Sequence, residues 1–279
     1  MNTKNLTAII PVRIDSTDRF QNINTTIEFL LKYYNCNIIL KEVDSTQKIQ
    51  LPNNSRLTYI FEKIQDTSFF HRTKILNEML SLVKTKYVVN YDCDMLIPQS
   101  TMKRCIHMLN SGYDLVYPYP RDSIYLTFPL DGPQRLKLLN DPNNTYMDYL
   151  IKKYTLKWKY NLNFFEFTKL NGVVCSGGMQ FFKTKSYIEG YGENESFIDW
   201  GPEDYERLYR FYLLGYKIGW TNFENIVHMD HTISLANNNN NMYNIKNQEN
   251  WKNIISNIKT KEDMIKYMSS LNYIKNVQI

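Results

Sequence analysis

The stretch KYVVNYDCDMLIP, residues 86–98, indicates both the class of fold and the place of a binding site. An apolar run rich in β-branched and aromatic residues ends in two acids, Asp92 and Asp94, and apolar side chains resume at Met95. Such a run is typical of a buried β-strand. In parallel sheets, ligands lie beyond the carboxyl ends of the strands, which is where the two acids fall.

The segments around this stretch alternate between strand and helix patterns, which predicts an α/β fold with a mainly parallel central sheet flanked by helices. Predicted strands cover residues 6–12, 37–43, 57–64, 87–91 and 113–119. Predicted helices cover residues 22–34, 71–86, 99–112 and 201–217. The last two helices have glycine stop signals at Gly112 and Gly215.

The pattern divides the chain into one large domain and a C-terminal tail. Residues 1–235 form the predicted domain, in which residues 118–170, rich in Pro, Asp, Asn and aromatic residues, are predicted to be an insertion or lid. The run of asparagines in residues 236–244 predicts a linker. Apolar residues at helical spacing after it, among them Trp251 and Ile254, predict a helical tail within residues 236–279.

Composition excludes several classes of protein. The net charge of +5 comes from basic residues spread along the chain, which argues against a nucleic-acid partner. Four cysteines without metal-binding spacing argue against a zinc site and suit a reducing compartment. No segment approaches the ~20 apolar residues of a membrane span, and no signal peptide is evident. We therefore expect a cytoplasmic protein with no membrane span.

Two short motifs have the chemistry of a metal site. If Asp92 and Asp94 converge, they can hold Mg²⁺ or Mn²⁺ together with a diphosphate; otherwise they are solvated turn residues. The motif VHMDHTI contains His228 and His231. Because residues three apart on a strand face opposite sides, these histidines can share one metal only if the chain turns there.

A third motif, DWGPEDYER, places Glu203 and Asp204 at a helix start, where the helix dipole favours carboxylates. Acids at such a position often only stabilise the helix. Trp200 and Gly201 immediately before them favour a functional interpretation, since an aromatic side chain next to closely approaching backbone is a common way to hold a sugar.

Taken together, the motifs IIPVR, FFHRTKILNEML, YDCDMLIP, SGGMQFFKTKSYIEGYGE, DWGPEDYERLYRFYLLGYKIGW and HMDH resemble a known family in order and spacing. The family is the β-1,4-galactosyltransferase and chondroitin-synthase-like branch of the GT-A glycosyltransferases. The resemblance covers about residues 6–235. It implies a GT-A fold and an inverting, metal-dependent transfer of a hexose or N-acetylhexosamine from a UDP-sugar to a carbohydrate or glycoconjugate acceptor.

The resemblance also implies a role for individual residues. Asp94, His228 and His231 would hold Mn²⁺ or Mg²⁺. Asp204 would be the catalytic base, and Glu203 would hold the acceptor beside it. The implied donor-binding residues are Arg13, Arg72, Asp92, Cys175, Gly178 and Trp200. The chain departs from the family in having Pro202 where a glycine is usual.

The donor preference follows from Cys175, two positions before the Gly-Gly pair. In the resembling family a bulky aromatic residue at this position favours galactose, and a smaller residue admits an N-acetyl group. A thiol is small, so UDP-GalNAc or UDP-GlcNAc is favoured over UDP-galactose.

Two other functions stay open. A nucleotidyltransferase acting on sugar phosphates also holds metal and phosphate with acids on a sheet, but PVRIDSTDRF after the first strand lacks the glycines expected there. A non-catalytic carbohydrate-binding protein on a transferase scaffold is the other, although all candidate catalytic acids are present.

Overall fold

The structure is a computed structural model that describes residues 3–121, 126–155, 176–221, 225–232 and 241–273. The strands are β1 (Leu6–Val12), β2 (Asn37–Asp44), β3 (Leu57–Lys63), β4 (Tyr87–Tyr91), β5 (Met95–Leu96), β6 (Leu115–Tyr117), β7 (Leu126–Phe128), β8 (Met179–Lys183), β9 (Ile218–Trp220) and β10 (Val227–Met229). The helices are α1 (Thr17–Tyr33), α2 (Arg72–Leu80), α3 (Gln99–Asn110), α4 (Gly132–Leu139), α5 (Thr145–Thr155), α6 (Thr184–Glu189), α7 (Glu203–Leu213), α8 (Met242–Asn257) and α9 (Lys261–Ser269).

The central sheet has seven strands in the order β3-β2-β1-β4-β8-β6-β9. Strands β3, β2, β1 and β4 are parallel, β8 is antiparallel to both of its neighbours, and β9 is parallel to β6. All residues of β1 and β4 are buried, as expected for central strands covered by helices on both faces. The predicted α/β fold with a mainly parallel sheet is confirmed.

A second sheet of three short strands, in the order β5-β10-β7, lies after the end of β4. Strand β10 pairs antiparallel with β5, so that His228 is opposite Met95, and pairs parallel with β7, so that His228 is also next to Thr127. Residues from three distant parts of the chain therefore meet beside the acid pair.

Several predicted boundaries differ from the structure. Helix α1 begins at Thr17 rather than residue 22, because the Ser16 side chain accepts a hydrogen bond from the backbone N–H of Arg19 and caps the helix. Helix α2 ends at Leu80 rather than residue 86. Helix α8 begins inside the predicted linker, where the Asn241 side chain caps it.

The tail packs against the main domain. Helices α8 and α9 bury a small apolar cluster together with Phe197, which confirms the predicted helical tail. Within the segment predicted as an insertion or lid, α4 packs against α1, and Tyr33 Oη donates a 2.6 Å hydrogen bond to the Leu139 carbonyl. None of the helices in the described ranges combines the length and apolar character needed to span a bilayer.

Candidate active site

A cleft opens at the carboxyl ends of β1 and β4, at the edge of the sheet where the sequence places Asp92 and Asp94. Its polar lining is Arg13, Asp15, Arg19, Arg72, Asp92, Asp94, Asp199, Glu203, His228 and His231, with Trp200 and Phe70 among its apolar residues. The cleft thus contains most of the predicted site residues, although they are up to 218 positions apart in the chain.

Asp94, His228 and His231 form a compact group on one wall, here called the Asp94 group. The Asp94 carboxylate lies 3.5 Å from His228 Nε2 and 3.3 Å from His231 Nε2. One potential ligand atom from each residue lies within 4.8 Å of the other two. The turn that the sequence interpretation required is present, since β10 ends at Met229 and His231 follows it.

Hydrogen bonds from outside the group orient both imidazoles. His231 Nδ1 lies 3.0 Å from the Thr232 carbonyl, which can only accept, so Nδ1 carries a proton and Nε2 is the ring nitrogen that faces Asp94. The Thr127 hydroxyl lies 3.0 Å from His228 Nδ1. Such partners commonly fix the tautomer and ring orientation of metal-binding histidines.

The donor set suits a divalent ion. The Asp94 carboxylate has 5% side-chain exposure and faces Nε2 of both histidines. A buried carboxylate in this position is stabilised by a proton or a cation between it and the ring nitrogens. Burial raises the pKa of Asp94, but His228, His231 and Arg19 lower it, and the net shift is downward. The carboxylate suits Mn²⁺ or Mg²⁺, and Mn²⁺ tolerates the two imidazoles, which suit softer divalent metals better.

Asp92 is not a member of this group and pairs with Arg72, whose Nη2 is 2.6 Å from Asp92 Oδ1. Within the described part of the chain, Arg72 Nη1 is buried without a hydrogen-bond partner, so the guanidinium has a donor left for a ligand. Gly178 lies next to Asp92, because its carbonyl accepts a 3.1 Å hydrogen bond from the Asp92 backbone N–H. Gly178 has φ of 78°, a conformation that favours glycine.

Below the cleft a buried polar network holds the start of α7. Arg207 is fully buried and donates to both carboxylate oxygens of Glu193, at 2.9 and 2.8 Å. Glu193 also accepts from Tyr187 and Asn90. A second nitrogen of Arg207 donates to Asp204. Because a buried charge is costly without partners, this network favours one position for the first turn of α7.

The two acids of α7 differ in environment. Glu203 is buried and lines the cleft, and its Oε2 has no hydrogen-bond partner among the described residues. Burial, followed by the charge of Asp204, raises the pKa of Glu203 to about 8. Asp204 keeps 23% side-chain exposure and pairs with Arg207. This pKa favours the protonated form of Glu203 at neutral pH.

The loop before α7 presents Trp200, which is 47% exposed. Asp199 precedes it with φ of 63° and accepts hydrogen bonds from the Phe70 backbone and the Asn241 side chain. Asn247 on α8 donates to the carbonyls of Ile198 and Trp200, at 2.7 and 3.0 Å. The tail thus holds the loop that carries the predicted sugar-binding tryptophan.

The remaining predicted donor residues are Arg13 and Cys175. Arg13 lines the cleft, but its Nη1 donates to backbone carbonyls of the β3–α2 loop, including Phe69 at 2.7 Å. Cys175 lies outside the described residues.

Sequence reasoning missed several residues of the site. Arg19 could have been found from Ser16 and Asp18, which together indicate a helix starting at Thr17 with Arg19 in its first turn. No sequence signal points to Asn247 or Arg207, because their roles come from contacts between distant elements.

No protein-family model and no curated protein sequence matches the chain. Among solved structures, the chain is similar to the mannosyltransferase PcManGT from Pyrobaculum calidifontis in complex with GDP-Man and Mn²⁺, with 13% identity and a TM-score of 0.51 over 97% of this chain and 69% of that one. It is similar to S. aureus TarS 1–349, with 12% identity and a TM-score of 0.51 over 80% of this chain and 60% of that one.

A third similar structure is the catalytic domain of Drosophila beta1,4galactosyltransferase 7 in complex with xylobiose, with 14% identity and a TM-score of 0.45 over 81% of this chain and 71% of that one. The first two similarities show that the chain has the fold of the GT-A glycosyltransferases. The predicted GT-A fold is confirmed, and the particular branch within it stays a prediction.

Proposed function

We propose that the protein is a metal-dependent, inverting glycosyltransferase that moves a hexose or N-acetylhexosamine from a UDP-sugar to a hydroxyl of a carbohydrate or glycoconjugate. The observation that carries this proposal is the cleft itself. The Asp94 group lies on one wall, and Trp200, Glu203 and the start of α7 lie on the other. The mannosyltransferase of similar fold was solved with GDP-Man and Mn²⁺, which supports a nucleotide sugar and a metal as ligands.

The donor side of the cleft supplies positive charge. A divalent ion held by Asp94, His228 and His231 would offset the negative charge that grows on the departing diphosphate. Arg72 adds a fixed cation with an unpartnered N–H group among the described residues. Asp92 keeps that guanidinium in place through its ion pair.

The acceptor side supplies the base. Asp204 takes the proton of the acceptor hydroxyl while the hydroxyl oxygen attacks C1 of the donor sugar. The bond between C1 and the diphosphate oxygen breaks on the opposite face, so the configuration at C1 inverts. Glu203, protonated at neutral pH, donates a hydrogen bond to the acceptor and is not the base.

The donor preference rests on Cys175. We propose that UDP-GalNAc or UDP-GlcNAc is used in preference to UDP-galactose, and that substitution of Cys175 by Tyr shifts the preference towards UDP-galactose. Size discrimination of this kind is on the order of 10- to 200-fold per methylene-sized change. An unchanged order of the three donors in that variant would contradict the assignment.

The test of the function is nucleotide release. The protein is incubated with UDP-GalNAc, UDP-GlcNAc, UDP-galactose or GDP-mannose, with Mn²⁺, Mg²⁺ or chelator, and with a panel of sugar acceptors. We expect Mn²⁺-dependent release of UDP that an acceptor accelerates, and NMR should show an inverted anomeric centre in the product. Formation of a nucleotide sugar and pyrophosphate would instead identify a nucleotidyltransferase. Sugar binding without any turnover would identify a carbohydrate-binding protein.

A further inference from the structure

Among the described residues, three arginines line the cleft, and two of them pair with groups outside the Asp94 group. Arg13 donates to backbone carbonyls of the β3–α2 loop, one of them that of Phe69. Arg72 pairs with Asp92 at 2.6 Å. The third, Arg19, is the arginine that extends towards the Asp94 group.

The start of α1 fixes the position of Arg19. Its backbone N–H donates to the Ser16 hydroxyl at 3.1 Å, which places Arg19 in the first turn of the helix. Its Nε donates to Asp15 Oδ1 at 2.8 Å. Its Nη1 lies 3.9 Å from Asp94 Oδ2 and 3.6 Å from Cys93 Sγ. The side chain keeps only 18% exposure, so the guanidinium is held largely away from water.

This geometry places a permanent positive charge beside a carboxylate that is also a potential metal ligand. A guanidinium and a divalent ion at the same carboxylate repel each other unless an anion bridges them. A diphosphate suits this bridging position, because it carries several negative oxygens and a guanidinium binds phosphate with two parallel hydrogen bonds. Asp15 is the closer partner of Arg19, at 2.8 Å against 3.9 Å for Asp94, so Asp15 limits how closely the guanidinium approaches Asp94.

We propose that Arg19 binds the diphosphate of the donor and that Asp15 is a positioning residue that prevents Arg19 from competing with the metal for Asp94. The proposal rests on the nucleotide-sugar function proposed above. It predicts two separable effects, one on nucleotide affinity and one on metal affinity.

The role of Arg19 in diphosphate binding is tested by measuring nucleotide affinity. UDP binding to Arg19→Gln is measured by calorimetry with and without Mn²⁺, and uridine is the ligand that lacks phosphate. A charged hydrogen bond of this kind corresponds to roughly a 10- to 100-fold loss of UDP affinity, whereas uridine binding should not change. Arg19→Lys, which keeps the charge, should recover part of the loss. Arg104→Gln, an arginine exposed on α3, is the matched control and should bind UDP as the wild type does.

UDP affinity of Arg19→Gln equal to the wild type would overturn the role of Arg19 and leave the proposed function standing. A wild-type protein that binds neither UDP nor GDP would overturn the proposed function, and this inference with it. The two failures are therefore distinguishable in one experiment.

The role of Asp15 is tested by measuring Mn²⁺ affinity, which does not require catalytic activity. Mn²⁺ is titrated without nucleotide into the wild type, Asp15→Asn, Arg19→Gln and the double variant, with free Mn²⁺ followed by electron paramagnetic resonance. We expect Asp15→Asn to weaken Mn²⁺ binding when Arg19 is present and to leave it unchanged in the Arg19→Gln background. An equal loss of Mn²⁺ affinity in both backgrounds would show that Asp15 acts only through its charge and would overturn its positioning role. Unchanged Mn²⁺ affinity in both backgrounds would overturn that role as well.

Discussion

Replacement of Glu203 by Gln should make the protein more stable at neutral and alkaline pH, and the gain should grow with pH. Burial and the charge of Asp204 raise the pKa of Glu203 from 4.5 to about 8 in the folded protein. Between these two values the unfolded chain loses the proton while the folded protein keeps it. Folding therefore binds a proton in this range, and the free energy of unfolding falls as pH rises.

The magnitude follows from the size of the pKa difference. One pKa unit corresponds to about 1.4 kcal/mol, so the wild type loses at most about 5 kcal/mol between pH 4.5 and pH 8. Glutamine resembles the protonated acid in shape and cannot ionise. The two proteins should therefore be similar near pH 5, and their difference should grow by roughly 3 kcal/mol between pH 5.5 and pH 8.

The assay is urea unfolding of the wild type and Glu203→Gln at half-unit steps from pH 5 to pH 9. Glu249→Gln, which removes an acid exposed on α8, is the control for loss of a carboxylate without burial. A difference between wild type and Glu203→Gln that stays constant with pH would refute the reasoning, because it would mean that the folded protein ionises Glu203 at neutral pH. The same result would make Glu203 an alternative to Asp204 as the base.

Three further predictions concern other residues of the site and its support. Asp94→Asn should abolish Mn²⁺-dependent UDP binding in calorimetry, and metal-dependent binding at wild-type affinity would contradict the Asp94 group as the metal site. Asp204→Asn should bind UDP and metal normally but lose transfer by ~10²–10⁴-fold, whereas normal turnover combined with an inactive Glu203→Gln would exchange the two roles. Asn247→Ala should lower the free energy of unfolding by about 1–3 kcal/mol. It should also raise the KM for the UDP-sugar without changing the affinity for UDP, since Asn247 holds the loop that carries the sugar-binding Trp200. An unaltered KM would show that the tail does not contribute to donor-sugar binding.

Local sequence pattern was sufficient to predict much of the fold. Strand β1 has the bounds predicted from its apolar run, and β4 ends where the acids begin. Such signals are readable because strand and helix periods, glycine stops and capping residues act within a few positions. Helix α1 shows where this fails, since the capping side chain of Ser16 was not recognised and the predicted start was five residues late.

The chemistry of the site was readable only in part. The sequence identified Asp94, His228 and His231 as candidate ligands, and the pairing of β5 with β10 brings them together. The different environments of Glu203 and Asp204 could not be predicted from the local sequence. Glu203 is buried and Asp204 pairs with Arg207, and both facts depend on how the interior packs.

The residue types and their order along the chain thus determined that an acid pair ends a buried strand, that two histidines lie three positions apart and that a carboxylate pair opens a helix. The three-dimensional packing determined which of these groups share a cleft, that Arg19 joins them and that Asn247 of the tail supports Trp200. The physical reason is the distance over which each effect acts. Propensity and periodicity act over a few neighbouring residues, whereas the charge state and partners of a buried side chain depend on every element packed around it.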